Sequence, residues 1–232
     1  MSNIRVFRNR CTNTAAGSFS TQPALGGPIY FFRNVVYHSP ETGPMTLPNN
    51  SAGVVFYNNT FIANVTPNTP AANVHFRNNL VVATSTQRPA LSIRTYTAYS
   101  SLDYNGYALP SGMEKAFVLT APVDGVTATY DQKALVEKSA GSIADFRKAT
   151  DQERNGRVLE VKTLFDDLPL PVADSPFKVY PSDIARYGLS KGSGAIDRGT
   201  TLPSITDGFV GRAPDLGAVE FGQAEPPYGP RN

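Results

Sequence analysis

The tripeptide His75-Phe76-Arg77 holds an imidazole and a guanidinium two residues apart. In an extended segment that spacing sends both side chains to one face. A neutral imidazole can take a proton, and an arginine fork can neutralise a carboxylate while charge builds beside it. Elimination next to a carboxylate needs those two groups. Arg33 offers a second guanidinium for the same task, and Tyr30 and Tyr57 offer rings that could stack on a ligand. Asp103 could touch a ligand on the same face, although its simplest expected partner is Arg77 in an exposed ion pair worth at most about 1 kcal/mol. Surface histidines are more often inert than catalytic, so this group competes with a plain solvated or covered face.

Hydrolysis of a glycosidic bond makes a different demand, two carboxyl groups either about 5.5 Å or up to about 9.5 Å apart. Residues 1–102 contain one acid, Glu41. A hydrolase would have to join Asp103 to Asp124, Asp131, Asp197 or Asp215 from the remainder of the chain. For Asp197, Asp215 and Glu220 the expected role is to close turns with side-chain hydrogen bonds. Calcium would need clustered carboxylates, which the first four repeats lack, so no metal or other cofactor is expected.

These residues are positioned by a repeat. Ile4-Arg5-Val6-Phe7-Arg8-Asn9, Ile29-Tyr30-Phe31-Phe32-Arg33-Asn34, Val54-Val55-Phe56-Tyr57-Asn58-Asn59 and Val74-His75-Phe76-Arg77-Asn78-Asn79 align without gaps, and Ser100-Ser101-Leu102-Asp103-Tyr104-Asn105 is a weaker copy. Their closing asparagines lie 25, 25, 20 and 26 residues apart, the length of one turn of a three-sided solenoid. Apolar first and third positions alternate with outward ones, so each copy predicts a strand. Cys11, Val36, Phe61, Val81 and Tyr107, two residues after each asparagine, predict a second strand past a bend. An asparagine at the bend tolerates unusual backbone angles and can bond to the asparagines above and below. Two outward rows follow, spaced about 4.8 Å per rung: Arg5, Tyr30, Val55, His75, Ser101, and Phe7, Phe32, Tyr57, Arg77, Asp103.

Pro23 to Pro28 and Thr42 to Pro44 read as loops on the third side, with Met45 to Leu47 and Ala90 to Ile93 as short strands there. Ser142 to Ala149 predicts a capped short helix, with Asp145 at the third helical position. Stretches 194–199 and 211–220 predict late strands and turns. The expected fold is an all-β, right-handed parallel β-helix of about five to seven rungs. It has an asparagine ladder and an irregular C-terminal cap that contains the helix. Residues 1–110 form rungs, and 111–232 supply the last rungs and a cap packed on the same solenoid, because an open end would expose strand edges.

The asparagine repeats, the Ser101-to-Tyr107 segment, Ala195-Ile196-Asp197 and Pro214-Asp215-Leu216-Gly217-Ala218-Val219-Glu220 resemble bacterial right-handed β-helix repeat proteins of the pectate-lyase-like superfamily, and in particular their C-terminal portion. That group includes polysaccharide lyases, polygalacturonase-like hydrolases and phage tailspikes. The resemblance implies a carbohydrate partner and an extracellular or cell-surface location without choosing a reaction. A lyase-like activity on an acidic polysaccharide leads, with a non-catalytic glycan-binding or structural module as the alternative.

Charge agrees with an acidic partner. The net +2 of the 232 residues divides into +6 over residues 1–102 and −4 over the rest. Packing of an acidic tail on a basic body would explain the split equally well. No run of about 18 apolar residues suggests a membrane span, and Met1 to Arg10 lack the apolar stretch of a signal peptide. One cysteine, Cys11, excludes an internal disulfide framework. The sequence has no phosphate-binding loop, no His-Glu-x-x-His and no Gly-x-Ser-x-Gly elbow, and no nucleic-acid-binding module is recognisable.

Overall fold

The structure, a computed structural model, describes residues 3–13, 26–38, 52–66, 70–171, 178 and 186–225. Its strands are β1 (Ile4–Phe7), β2 (Arg10–Thr12), β3 (Ile29–Phe32), β4 (Val35–Tyr37), β5 (Val54–Tyr57), β6 (Thr60–Ile62), β7 (Val74–Arg77), β8 (Leu80–Val82), β9 (Leu91–Arg94), β10 (Ser101–Asp103), β11 (Gly106–Ala108), β12 (Phe117–Pro122), β13 (Leu135–Ala140) and β14 (Arg157–Val158). The one α-helix among the described residues is α1, Ile143–Thr150.

The chain is a parallel β-solenoid. β1, β3, β5, β7 and β10 stack as one parallel sheet, and β2, β4, β6, β8, β11 and β14 as a second. The third side is thinner: β9 pairs parallel with β12, and β12 pairs antiparallel with β13. Five stacked first strands span about four turns, fewer than the five to seven expected. Coiling stops because β13 turns back on β12, and α1 then lies across the end of the stack.

Between the sheets lies the core that the alternating pattern requires. Phe31 stacks on Phe56 at 4.9 Å, and Phe56 meets Phe76 at 5.9 Å. Rings of one rung thus fill the space above rings of the next, burying them from water at about 25 cal/mol per Å². At the C-terminal end Phe146 of α1 is fully buried on Phe117, at 5.4 Å. Ser142 caps α1 as its sequence predicted, accepting from the Asp145 backbone N–H at 3.1 Å.

The ladder runs through the bends between the first two sheets. Asn9, Asn34, Asn59 and Asn79 each donate both backbone N–H and side-chain Nδ2 to the Oδ1 of the next asparagine, at 2.9 to 3.1 Å. The unusual backbone angle falls one residue earlier than expected: Arg8, Arg33, Asn58, Asn78 and Tyr104 have φ of 53°, 54°, 51°, 55° and 57°. This division of labour leaves the ladder amides free to stack while the preceding residue makes the corner.

A second apolar cluster covers the outside of the second sheet. Val35, Tyr37, Ile62, Leu80, Val82 and Ala108 point outward there and pack under Leu164, Phe165, Tyr187, Leu189, Leu216 and Val219 of the C-terminal segment. Asn78 fixes that segment by donating to Thr200 O at 2.7 Å, and Ala218 N–H donates to Thr60 Oγ1 at 2.9 Å. Residues 194–199 and 211–220, expected as strands and turns, form turns and bends without a strand, because they lie across the sheet without extending it. Leu91–Arg94 confirms the third-side strand expected near Ala90 to Ile93, whereas Met45 to Leu47 and most of the Pro23–Pro28 and Thr42–Pro44 loops lie outside the described residues.

Candidate functional site

The C-terminal segment covers the second sheet, whereas among the described residues the outward rows of the first sheet are exposed or half-buried apart from Val55. These two rows have the expected register: Arg5, Tyr30, Val55, His75, Ser101 in one, and Phe7, Phe32, Tyr57, Arg77, Asp103 in the other. Phe7 is 46% exposed, and its ring lies parallel to Phe32 at 5.1 Å. Rings repeated at the rung spacing form an apolar strip along the axis, followed by the Arg77 guanidinium.

The chemistry concentrates on β7 and β10. His75 Nδ1 lies 2.8 Å from Ser101 Oγ on the next rung, and Arg77 Nη2 donates to the same oxygen at 3.4 Å. Burial, reinforced by the Arg77 charge, pushes the His75 pKa below its ordinary value. His75 is therefore neutral near pH 7 and can accept a proton. Burial raises the Tyr57 phenol, with Arg77 opposing and Tyr30 adding to the rise. Tyr57 stays protonated and can donate.

Asp103 departs from expectation. It makes no ion pair with Arg77 among the described residues. Its Oδ1 accepts from the backbone N–H groups of Tyr104 and Asn155 at 2.9 and 2.7 Å, and its Oδ2 from Asn155 Nδ2 at 2.9 Å. The last rung needs its carboxylate to fasten the segment that follows α1, and three donors hold it more firmly than one exposed cation would.

Arg33 also stands apart from the His75–Arg77 pair. It occupies a bend two rungs earlier, where Nε donates to Ile205 O at 3.2 Å and Nη2 lies 3.8 Å from Glu220 Oε1. Desolvation lowers its pKa, with Glu220 opposing. The contacts it makes tie the C-terminal segment to the solenoid.

The other carboxylates considered for hydrolysis are engaged elsewhere. Asp124 pairs with Lys138 at 2.7 Å, and Asp131 caps a short turn through Lys133 N–H at 2.9 Å. Asp197 accepts from the backbone of Arg212 and Ala213, which holds its carboxyl below the usual range. Asp215 accepts from the backbone N–H groups of Asp197 and Phe221 at 2.7 and 2.6 Å, and burial raises it. Burial and the neighbouring Asp215 push Glu220 up to about 7. Only Asp103 of this set belongs to the outward rows.

Sequence reasoning missed Glu153. Its Oε1 accepts from Asn105 Nδ2 at 2.7 Å and Tyr107 Oη at 2.6 Å, so a carboxylate ends the asparagine ladder. Its Oε2 is buried without a hydrogen-bond partner. No register could have found it, because Glu153 follows a helix outside the repeat. Among the described residues no group of three or more His, Cys, Asp or Glu side chains could hold a metal ion, and no helix is long and apolar enough to cross a membrane. No protein family, no curated protein and no solved structure matches the chain.

Proposed function

We propose that the outward face of the first sheet binds an acidic, uronate-containing polysaccharide along the solenoid axis and cleaves it by β-elimination. The observation that carries this reading is the contrast between the two long faces. The second sheet is sealed by the C-terminal segment, while the first presents aromatic rings, Arg5, His75 and Arg77. Tyr30 and Tyr57, with Phe7 and Phe32, stack on sugar rings, and Arg77 neutralises the uronate carboxylate as its neighbouring carbon becomes carbanion-like. His75 takes the proton from that carbon. The electron pair forms a carbon–carbon double bond, and the glycosidic oxygen leaves with a proton from Tyr57. Such a polymer places the work of this protein outside the cell or at its surface.

The test is absorbance of the new double bond, followed together with reducing ends, on pectate, alginate, hyaluronan, chitosan and neutral glycans. On one uronate polymer both signals rise, and His75→Ala with Arg77→Ala lowers the rate by about 100-fold or more. An unchanged rate in the double variant would refute these roles. The Phe7–Phe32 stack favours a second reading, because it offers a binding strip independent of His75. Retained glycan binding with silence in both assays would assign the face to recognition without turnover.

A further inference from the structure

We infer that Ser101 and His75 form a nucleophile–base dyad that removes ester-linked acyl groups from the ligand of this face. This rests on the proposed function for its glycan, but its chemistry is separate from elimination. Three facts of geometry support it. Ser101 and His75 are register partners on adjacent rungs, so the sheet fixes their separation. Their side chains meet at 2.8 Å, within the reach a base needs to activate a hydroxyl. Arg77 approaches the same Oγ at 3.4 Å, and both members of the dyad remain partly exposed on the open face.

The arrangement also orients the proton. A guanidinium only donates, so Arg77 fills one lone pair of Oγ and favours an Oγ–H directed at the imidazole. His75, desolvated and beside a cation, is neutral and free to accept it. Oγ then attacks the acyl carbonyl carbon as its proton moves to Nδ1. Negative charge develops on the carbonyl oxygen within reach of Arg77, which takes the part of an oxyanion donor. Collapse breaks the ester carbon–oxygen bond, and the departing glycan hydroxyl takes the proton from His75. Water attacks the acyl-serine with His75 again accepting a proton. Collapse returns that proton to Oγ and releases a carboxylic acid. The net change is ester plus water to acid plus alcohol.

A small ester tests the dyad without a glycan. The intact protein is incubated with p-nitrophenyl acetate, and separately with a fluorophosphonate whose attachment site is read by peptide mass spectrometry. The expected result is ester turnover, a single label on Ser101, and a loss of about 100-fold or more in Ser101→Ala and His75→Ala. Labelling of the unmodified protein needs no variant to fold. Absence of label, label elsewhere, or full turnover in Ser101→Ala would overturn the dyad. Double-bond formation by the unmodified protein without any ester turnover would leave the elimination reading intact and remove this one. Ester turnover without double bonds would do the reverse.

Discussion

Glu153 is the residue at which the repeat gives way to its cap. Burial lifts its carboxyl from 4.5 to about 7, because Asn105 and Tyr107 offset only part of the desolvation and Asp103 adds repulsion. A carboxyl whose pKa is raised in the folded state favours folding while protonated. Its stabilisation is complete below about 4.5 and is lost as pH rises through about 7. Glu220 titrates in the same direction. The thermal midpoint should therefore be higher at pH 5 than at pH 8, by roughly 5 °C. Glu153→Gln keeps a carbonyl for both donors and removes the charge, so melting curves of this variant should show a flatter pH profile and a gain at pH 8. An unchanged profile would mean that the carboxyl stays ionised at both ends.

Among the elements, the ladder decides how the bends add up. Asn59 donates to Phe31 O and Asn79 Oδ1 and accepts two bonds from Asn34, all in a fully buried position. Asn59→Ala orphans those partners away from water and should cost about 2 to 4 kcal/mol in urea unfolding. Asn9 sits at the exposed end of the same ladder, where water can replace the lost bonds. Asn9→Ala should cost less than about 1 kcal/mol. Equal costs at the two sites would show that the ladder acts by turn geometry instead of buried hydrogen bonding.

For the whole molecule, the C-terminal segment covers the second sheet, and the proposed chemistry falls to the outward rows of the first. Leu216 is 1% exposed in the cluster that covers the second sheet. Leu216→Asp buries an unpaired charge, so it should loosen the segment and give dye binding to the uncovered apolar face. Tyr57→Ala, on the open face, should lower glycan affinity while moving the thermal midpoint little. Tight dye binding by both variants, or by neither, would contradict this division of the two faces.

Strands of the first two sheets were legible in the sequence because stacking repeats like residues at like positions. Phe31, Phe56 and Phe76 mark the inward row, and Asn9 through Asn105 mark the bends. The outward rows, with His75, Arg77, Tyr30 and Tyr57, follow from the same alternation by counting. What the sequence could not determine is set by contacts between segments far apart in the chain. Asp103 turned to Asn155, Arg33 to Ile205 and Glu220, and Glu153 to Asn105, across separations that no local period encodes. The number of turns was equally out of reach, since coiling ends where an antiparallel partner and a helix reach the last rung. A repeat is written locally because each rung meets only its neighbours, which is why His75 and Ser101 fall side by side in one row; the cap and the covered face exist only once the chain has folded back upon itself.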